Sequence, residues 1–221
     1  MIYLCFRNRL VYTNCLKMKK IEAIYRDILY RAIEQKEFRF TQLDLAKKFG
    51  ISLSIVNSAV KKLNSIGAVK INQRSLDVID VRKILYFWAS IRNLEKDVIF
   101  SVRVEASVKE IEKCMPNVLF TGYTAYKLRF DDVPADYSEV YVYADETELN
   151  EIKKRLSFFK ISDKNKLNYN FFVLKKDSFM KLYKTIPISQ LFADLWNMNK
   201  WYSKDFILAF DKEIEKIGVL Q

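Results

Sequence analysis

Apolar residues recur at spacings of three and four along much of the chain, and only a few short stretches alternate with period two. The first spacing lays a stripe along a helix, and the second gives a half-buried strand. Over residues 19–35, Ile21, Ile24, Tyr25, Ile28, Leu29, Ala32 and Ile33 mark a first helix. Two more follow over 41–67: Leu45, Ala46 and Phe49 stripe one, and Val56, Ala59, Val60, Leu63 and Ile66 the other. Thr41 is an N-cap residue, Gly50 a glycine stop and Ser52 a second N-cap, with Ile51 filling the corner. Residues 68–80, AVKINQRSLDVID, alternate around a polar tetrad, so Val69, Ile71, Leu76 and Val78 are expected to pair as a hairpin with Arg74 at its tip. Asp80 caps a further helix over 81–93, whose apolar side is Ile84, Leu85, Phe87, Trp88 and Ile91.

The pattern changes after residue 93. Val98, Phe100, Val102 and Val104 alternate as a strand, and a short helix, SVKEIEKCM, is stopped by Pro116. A strand over 118–121, the helix TAYKLRF and a strand over 139–144 come next. Asp145 caps a helix that Glu148 completes as a capping box, and a strand pair is expected at 158–161 and 169–174. The tail reads as two helices, PISQLFADLWNM and one opened by Ser203 and stopped by Gly218. The whole is expected to be α+β: residues 1–93 with a three-helix core plus hairpin, then residues 94–221 around a small mixed sheet with a helical tail.

Stretch 41–67 resembles the helix-turn-helix family: Ala46 lies inside the first helix, Gly50 follows four residues later, and Ile51, Val56 and Ala59 occupy the family's buried positions. With the hairpin added it resembles a winged helix. Ser52, Ser54, Asn57, Ser58, Lys61 and Lys62 stay off the buried stripe, a short polar and basic face of the kind that enters a major groove. The expected DNA-binding residues are these six with Thr41, Gln42 and Arg74; helix 53–66 would read bases and the wing would meet phosphates. Two bland readings compete, since paired short helices occur in bundles that touch no nucleic acid and a hairpin is often only solvated surface. Further on, FTGYTAYKL and PISQLFADLWNM, through Gly122, Ala125, Pro187, Gln190, Asp194 and Leu195, resemble the C-terminal domain of AbiEi-type antitoxins. That resemblance implies a DNA-binding repressor of its own toxin operon, with the toxin as a protein partner of the second domain.

Charge sharpens the picture. The formal charge is +11; residues 1–93 hold 18 Lys plus Arg against 7 Asp plus Glu, and residues 94–221 hold 20 against 20. The excess, 18 minus 7, lies wholly in the first region, where a polyanion partner is expected. A composition of 50% apolar and 14% aromatic residues, with 4 glycines and 3 prolines, supports packed cores with short connections. Cys5, Cys15 and Cys114 are too scattered for a disulfide framework and suit free thiols in a reducing cytoplasm. No histidine is present, so neither a zinc site nor a histidine general base is expected. Arg7, Asn8 and Arg9 break the hydrophobic run at the start well short of a membrane span, and translation from Met18 is an alternative start.

An enzyme reading fares worse. A nucleotidyltransferase needs a Gly-Ser turn before a helix and a closely spaced acidic pair to hold magnesium, but Gly122 is followed by Tyr123, and Glu139 and Asp145 are far apart. Asp131, Asp132 and Asp136 sit in a proline-containing loop, and no phosphate loop or dinucleotide fingerprint occurs. No catalysis and no cofactor are therefore expected. Besides such an enzyme, a winged-helix protein-interaction module is the competing function. One reading module contacts few base pairs, so a homodimer is expected, with Trp88 in the aromatic run 86–88 as the interface anchor.

Overall fold

A computed structural model describes residues 20–162 and 168–217. The amino-terminal extension with Cys5 and Cys15, and the expected stop at Gly218, lie outside those residues. The chain is α+β, with a three-stranded and a mixed five-stranded sheet. It divides into two units, one of residues 20–88 with 215–217 and one of Ala89–Ile214. The division falls inside a helix, five residues before the expected boundary at 93.

In the first unit, helix α1 (residues 20–30) runs into a π turn, Arg31–Gln35, which Lys36 ends in the left-handed region. All seven residues of its expected stripe are buried. Buried Asp27 bonds Arg31 at 3.0 Å and Lys48 at 2.6 Å, tying α1 to α2 (Gln42–Phe49). Strand β1 (Arg39–Phe40) precedes α2, and α3 (Leu53–Ser65), β2 (Val69–Ile71) and β3 (Leu76–Val78) follow. The expected hairpin forms, with Val69 opposite Val78 and Ile71 opposite Leu76. β1 joins it through Phe40 and Leu76, a third strand that two residues could not announce by alternation. Helix α4 (Val81–Ile91) carries the chain onward.

The second unit is built on the sheet β5-β6-β8-β4-β7: Leu119–Thr121, Val140–Ala144, Phe171–Lys175, Val98–Val104 and Ile161–Ser162. Only β6 and β8 run parallel. Val102, Val104, Val140, Val142, Phe171 and Val173 project from one face and pack with α5 (Val108–Cys114) and α7 (Glu146–Leu156). Tyr141 and Tyr143 project from the other, the side of α6 (Gly122–Phe130), α8 (Ile188–Trp196) and α9 (Ser203–Lys216), where Tyr123, Tyr126, Phe192, Phe206 and Phe210 are buried. Each such large side chain contributes about 1.5–3 kcal/mol when removed from water. The expected strand pair 158–161 with 169–174 does not form. Turn bonds from Phe158 to Arg155 and from Phe159 to Leu156 hold that start in the last coil of α7, and short β7 pairs with β4 instead.

Candidate nucleic-acid interface

Local chemistry places α2 and α3. The Thr41 hydroxyl accepts the Asp44 amide at 3.0 Å while the Asp44 carboxylate accepts the Thr41 amide at 3.1 Å, a capping box. Those bonds hold the Asp44 carboxyl below its ordinary value. They also commit the Thr41 oxygen to the cap. Gly50 has φ +58°, a conformation that glycine adopts without strain, and the chain leaves α2 there toward buried Ile51. Ser52 is the N-cap of α3 by backbone, but its side chain makes no cap bond.

Val56, Ala59, Val60 and Leu63 form the buried stripe of α3. Ile66, expected to extend it, is partly exposed, because the helix ends at Ser65 and position 66 no longer follows its periodicity. Opposite the stripe, Ser54, Ser58, Lys61 and Ser65 recur at spacings of four, three and four, with half-buried Asn57 and exposed Lys62 to either side. Exposed Leu53 sits at the start of the same helix. The side chains of Gln42, Ser52, Ser54, Asn57, Ser58, Lys61, Lys62 and Arg74 form no hydrogen bond or ion pair among the described residues.

The hairpin tip is fixed by its own bonds. The Asn72 amide reaches the Ser75 carbonyl at 2.9 Å, and its side chain donates to Ser75 at 3.2 Å and Asp77 at 2.7 Å, leaving Arg74 exposed at the turn. Two sets of cations can be distinguished among the described residues of this unit. Arg31, Arg39, Lys48, Arg82 and Lys83 are paired with Glu37 or Asp27, Asp77, Asp27, Glu215 and Asp80. Lys47, Lys61, Lys62, Lys70 and Arg74 have no ion pair among the described residues. Lys47 and Lys70 are not among the residues expected from the sequence, where a lysine that will find a partner looks like one that will not.

Trp88 is not a surface anchor. It is wholly buried, and its indole nitrogen donates to Glu22 at 3.2 Å, so it belongs to the core of the first unit. In sequence an aromatic run on a helix has the same appearance whether the fold or a partner covers it.

The second unit joins the two stretches that carry the antitoxin resemblance. Buried Asp194 of α8 accepts the Thr121 hydroxyl at 2.7 Å, the Tyr143 hydroxyl at 2.7 Å, Gln190 at 2.9 Å and Arg92 at 2.7 Å. Burial and the neighbouring carboxylate push the Tyr143 hydroxyl far above its ordinary pKa. Every oxygen lone pair of Asp194 is thereby engaged, so the cluster is built for packing and leaves no open position for a reactant. Asp131, Asp132 and Asp136 are exposed, Asp145 caps α7, and no group of three metal-ligating side chains occurs among the described residues. Comparison with family models, with curated proteins and with solved structures finds no match.

Proposed function

We propose that the chain is a sequence-specific double-stranded DNA-binding regulator, a winged helix whose helix α3 enters the major groove while the hairpin meets the phosphate backbone. One observation carries the reading: the side chains of Ser54, Asn57, Ser58, Lys61, Lys62 and Arg74 make no hydrogen bond or ion pair among the described residues, whereas Arg31, Arg39, Lys48, Arg82 and Lys83 are paired within the fold. Internally paired cations release few counterions on contact with DNA, so the unpaired set supplies the affinity. Uncapped Ser52 offers the N-terminus of α3, with its hydroxyl and first amides, to a phosphate. Lys61 stands at the centre of the outward face, and arginine or lysine reading guanine is the commonest base contact. A homodimer on a palindrome supplies the second reading module, and the second unit is assigned to a toxin or other protein partner, as in an autoregulating antitoxin.

Fluorescence anisotropy of a random duplex tests the core of this reading. The affinity should fall with a log–log salt slope of about 0.9 per phosphate neutralised. Replacing Lys61, Lys62, Lys70 and Arg74 together with alanine should abolish binding while the control Lys83→Ala leaves it intact. No binding by the wild-type chain at low salt, or equal losses in the two variants, refutes it.

A further inference from the structure

The second unit carries a cleft whose lining shares no residue with the surface assigned to DNA. Two cavities of about 480 Å³ and about 400 Å³ adjoin there, sharing Tyr169 and Lys200 in their walls. The strand register orders the floor of this region. Tyr141 on β6 lies beside Phe172 on β8, and Phe172 lies beside Ser101 on β4. The rings of Tyr141 and Phe172 stack with centroids 4.6 Å apart and planes 9° apart. Ser101 occupies the third place in the row, so a short side chain stands where a third ring would continue the stack. Phe172 is only half-buried and lines the larger cavity.

Two residues along β4, exposed Arg103 lines the smaller cavity. It is the diagonal neighbour of Phe172, at a separation of roughly 7–8 Å for such pairs. Its guanidinium has no ion pair or hydrogen bond among the described residues. Among the described residues, the other charged groups nearby are largely committed. Glu139 is buried, with one oxygen 3.0 Å from Lys200 and the other accepting the Tyr141 hydroxyl at 2.9 Å. Glu105 pairs with Lys160 at 2.9 Å. The Asn170 side chain is taken up by the amide and carbonyl of Val104, at 2.8 and 3.0 Å. Exposed Glu95 lines the larger cavity beside Leu94 and Val98 and is absent from the wall that holds Arg103.

We propose that this cleft binds a small organic anion built on a flat ring, the ring lying against Phe172 and the anionic group against Arg103. Offset stacking on an aromatic face and a charge-assisted fork of hydrogen bonds are the interactions these two groups offer. A phosphate and a carboxylate both satisfy the fork, so a mononucleotide and an aromatic carboxylate are the two sources of this chemistry.

Ligand-observed NMR and calorimetry on the full chain, with no DNA present, test this independently of the DNA-binding reading. The probes are AMP, salicylate, adenosine as a ring without the anion, and inorganic phosphate as the anion without a ring. AMP or salicylate should saturate at or below a Kd on the order of 1 mM, with the corresponding ring-only or anion-only probe at least about tenfold weaker. AMP ahead of salicylate assigns the phosphate source; the reverse order assigns the carboxylate. Arg103→Ala should weaken the anionic probe to the level of the ring alone without altering the melting curve, since Arg103 is exposed and has no ion pair or hydrogen bond among the described residues. Phe172→Leu, which keeps apolar bulk, should weaken the ring-bearing probes and leave inorganic phosphate unaffected. Absence of saturable binding by both anionic probes, inorganic phosphate binding as tightly as AMP, or Arg103→Ala binding unchanged each overturns the assignment.

Discussion

Replacing Asp194 with asparagine is the sharpest test of what holds the second unit together. The side chain keeps its shape but loses its charge and exchanges one acceptor for a donor. In the native unit Asp194 accepts from Thr121, Tyr143, Gln190 and Arg92 at 2.7–2.9 Å, so in either orientation the new amide faces groups that also donate. Arg92 is buried, and after the change Asp97 still faces it at 3.3 Å. Removing one member of a buried ion pair costs about 3–5 kcal/mol, and the surviving contact with Asp97 places the cost near the lower end, about 3 kcal/mol. At roughly 3 °C per kcal/mol for a chain of this size, the melting temperature should fall by about 10 °C. Urea titration followed by circular dichroism should show a lower midpoint with an unchanged slope. A double-mutant cycle with Arg92→Met should return a coupling of about 1–3 kcal/mol. A loss below about 1 kcal/mol, the net worth of one ordinary hydrogen bond, would refute the idea that this cluster is a charge-bearing keystone.

Gly122 has φ +63°, and a Cβ there would come within 2.3 Å of the Met198 methyl and 2.9 Å of its sulfur, so Gly122→Ala should cost about 1–2 kcal/mol from the backbone plus the displacement of Met198. Met198→Ala in that background should recover less than half of the loss, because the backbone strain stays. The Asp44 carboxyl sits below its ordinary value, so it stabilises the fold above its unfolded-state pKa and loses that contribution as pH falls through the folded one. Thermal melts of Asp44→Asn should therefore differ from wild type at pH 7 and begin to converge with it only as the pH falls below about 4. For DNA, Lys61→Ala and Asn57→Ala should relax sequence preference at a cost of roughly 1–3 kcal/mol at the preferred site, whereas Arg74→Ala should weaken all duplexes alike. Competition binding with specific and random duplexes checks this, and an unchanged specificity ratio in Lys61→Ala counts against α3 as the reading helix.

The sequence by itself determined the local elements. Thr41 with Asp44, Gly50, the stripe from Val56 to Leu63, and the alternation around residues 72–75 each act within a few residues, so they could be read without the rest of the chain. The same holds for Asp145 and Glu148, whose capping box is a three-residue relation. Tertiary structure alone decided which exposed-looking groups are partnered. Trp88 is one helical aromatic among several until Glu22, 66 positions away, meets its indole nitrogen. Lys48 and Lys47 are adjacent and chemically identical, yet only Lys48 reaches buried Asp27. Asp194, Arg92, Tyr143 and Thr121 come from three elements and the connection after α4, and Phe172 gains its diagonal neighbour Arg103 only through the β8–β4 register. Helix caps and amphipathic stripes are written in short-range spacing, whereas ion pairing, burial and cleft lining depend on which distant segments the sheet and helix packing bring side by side.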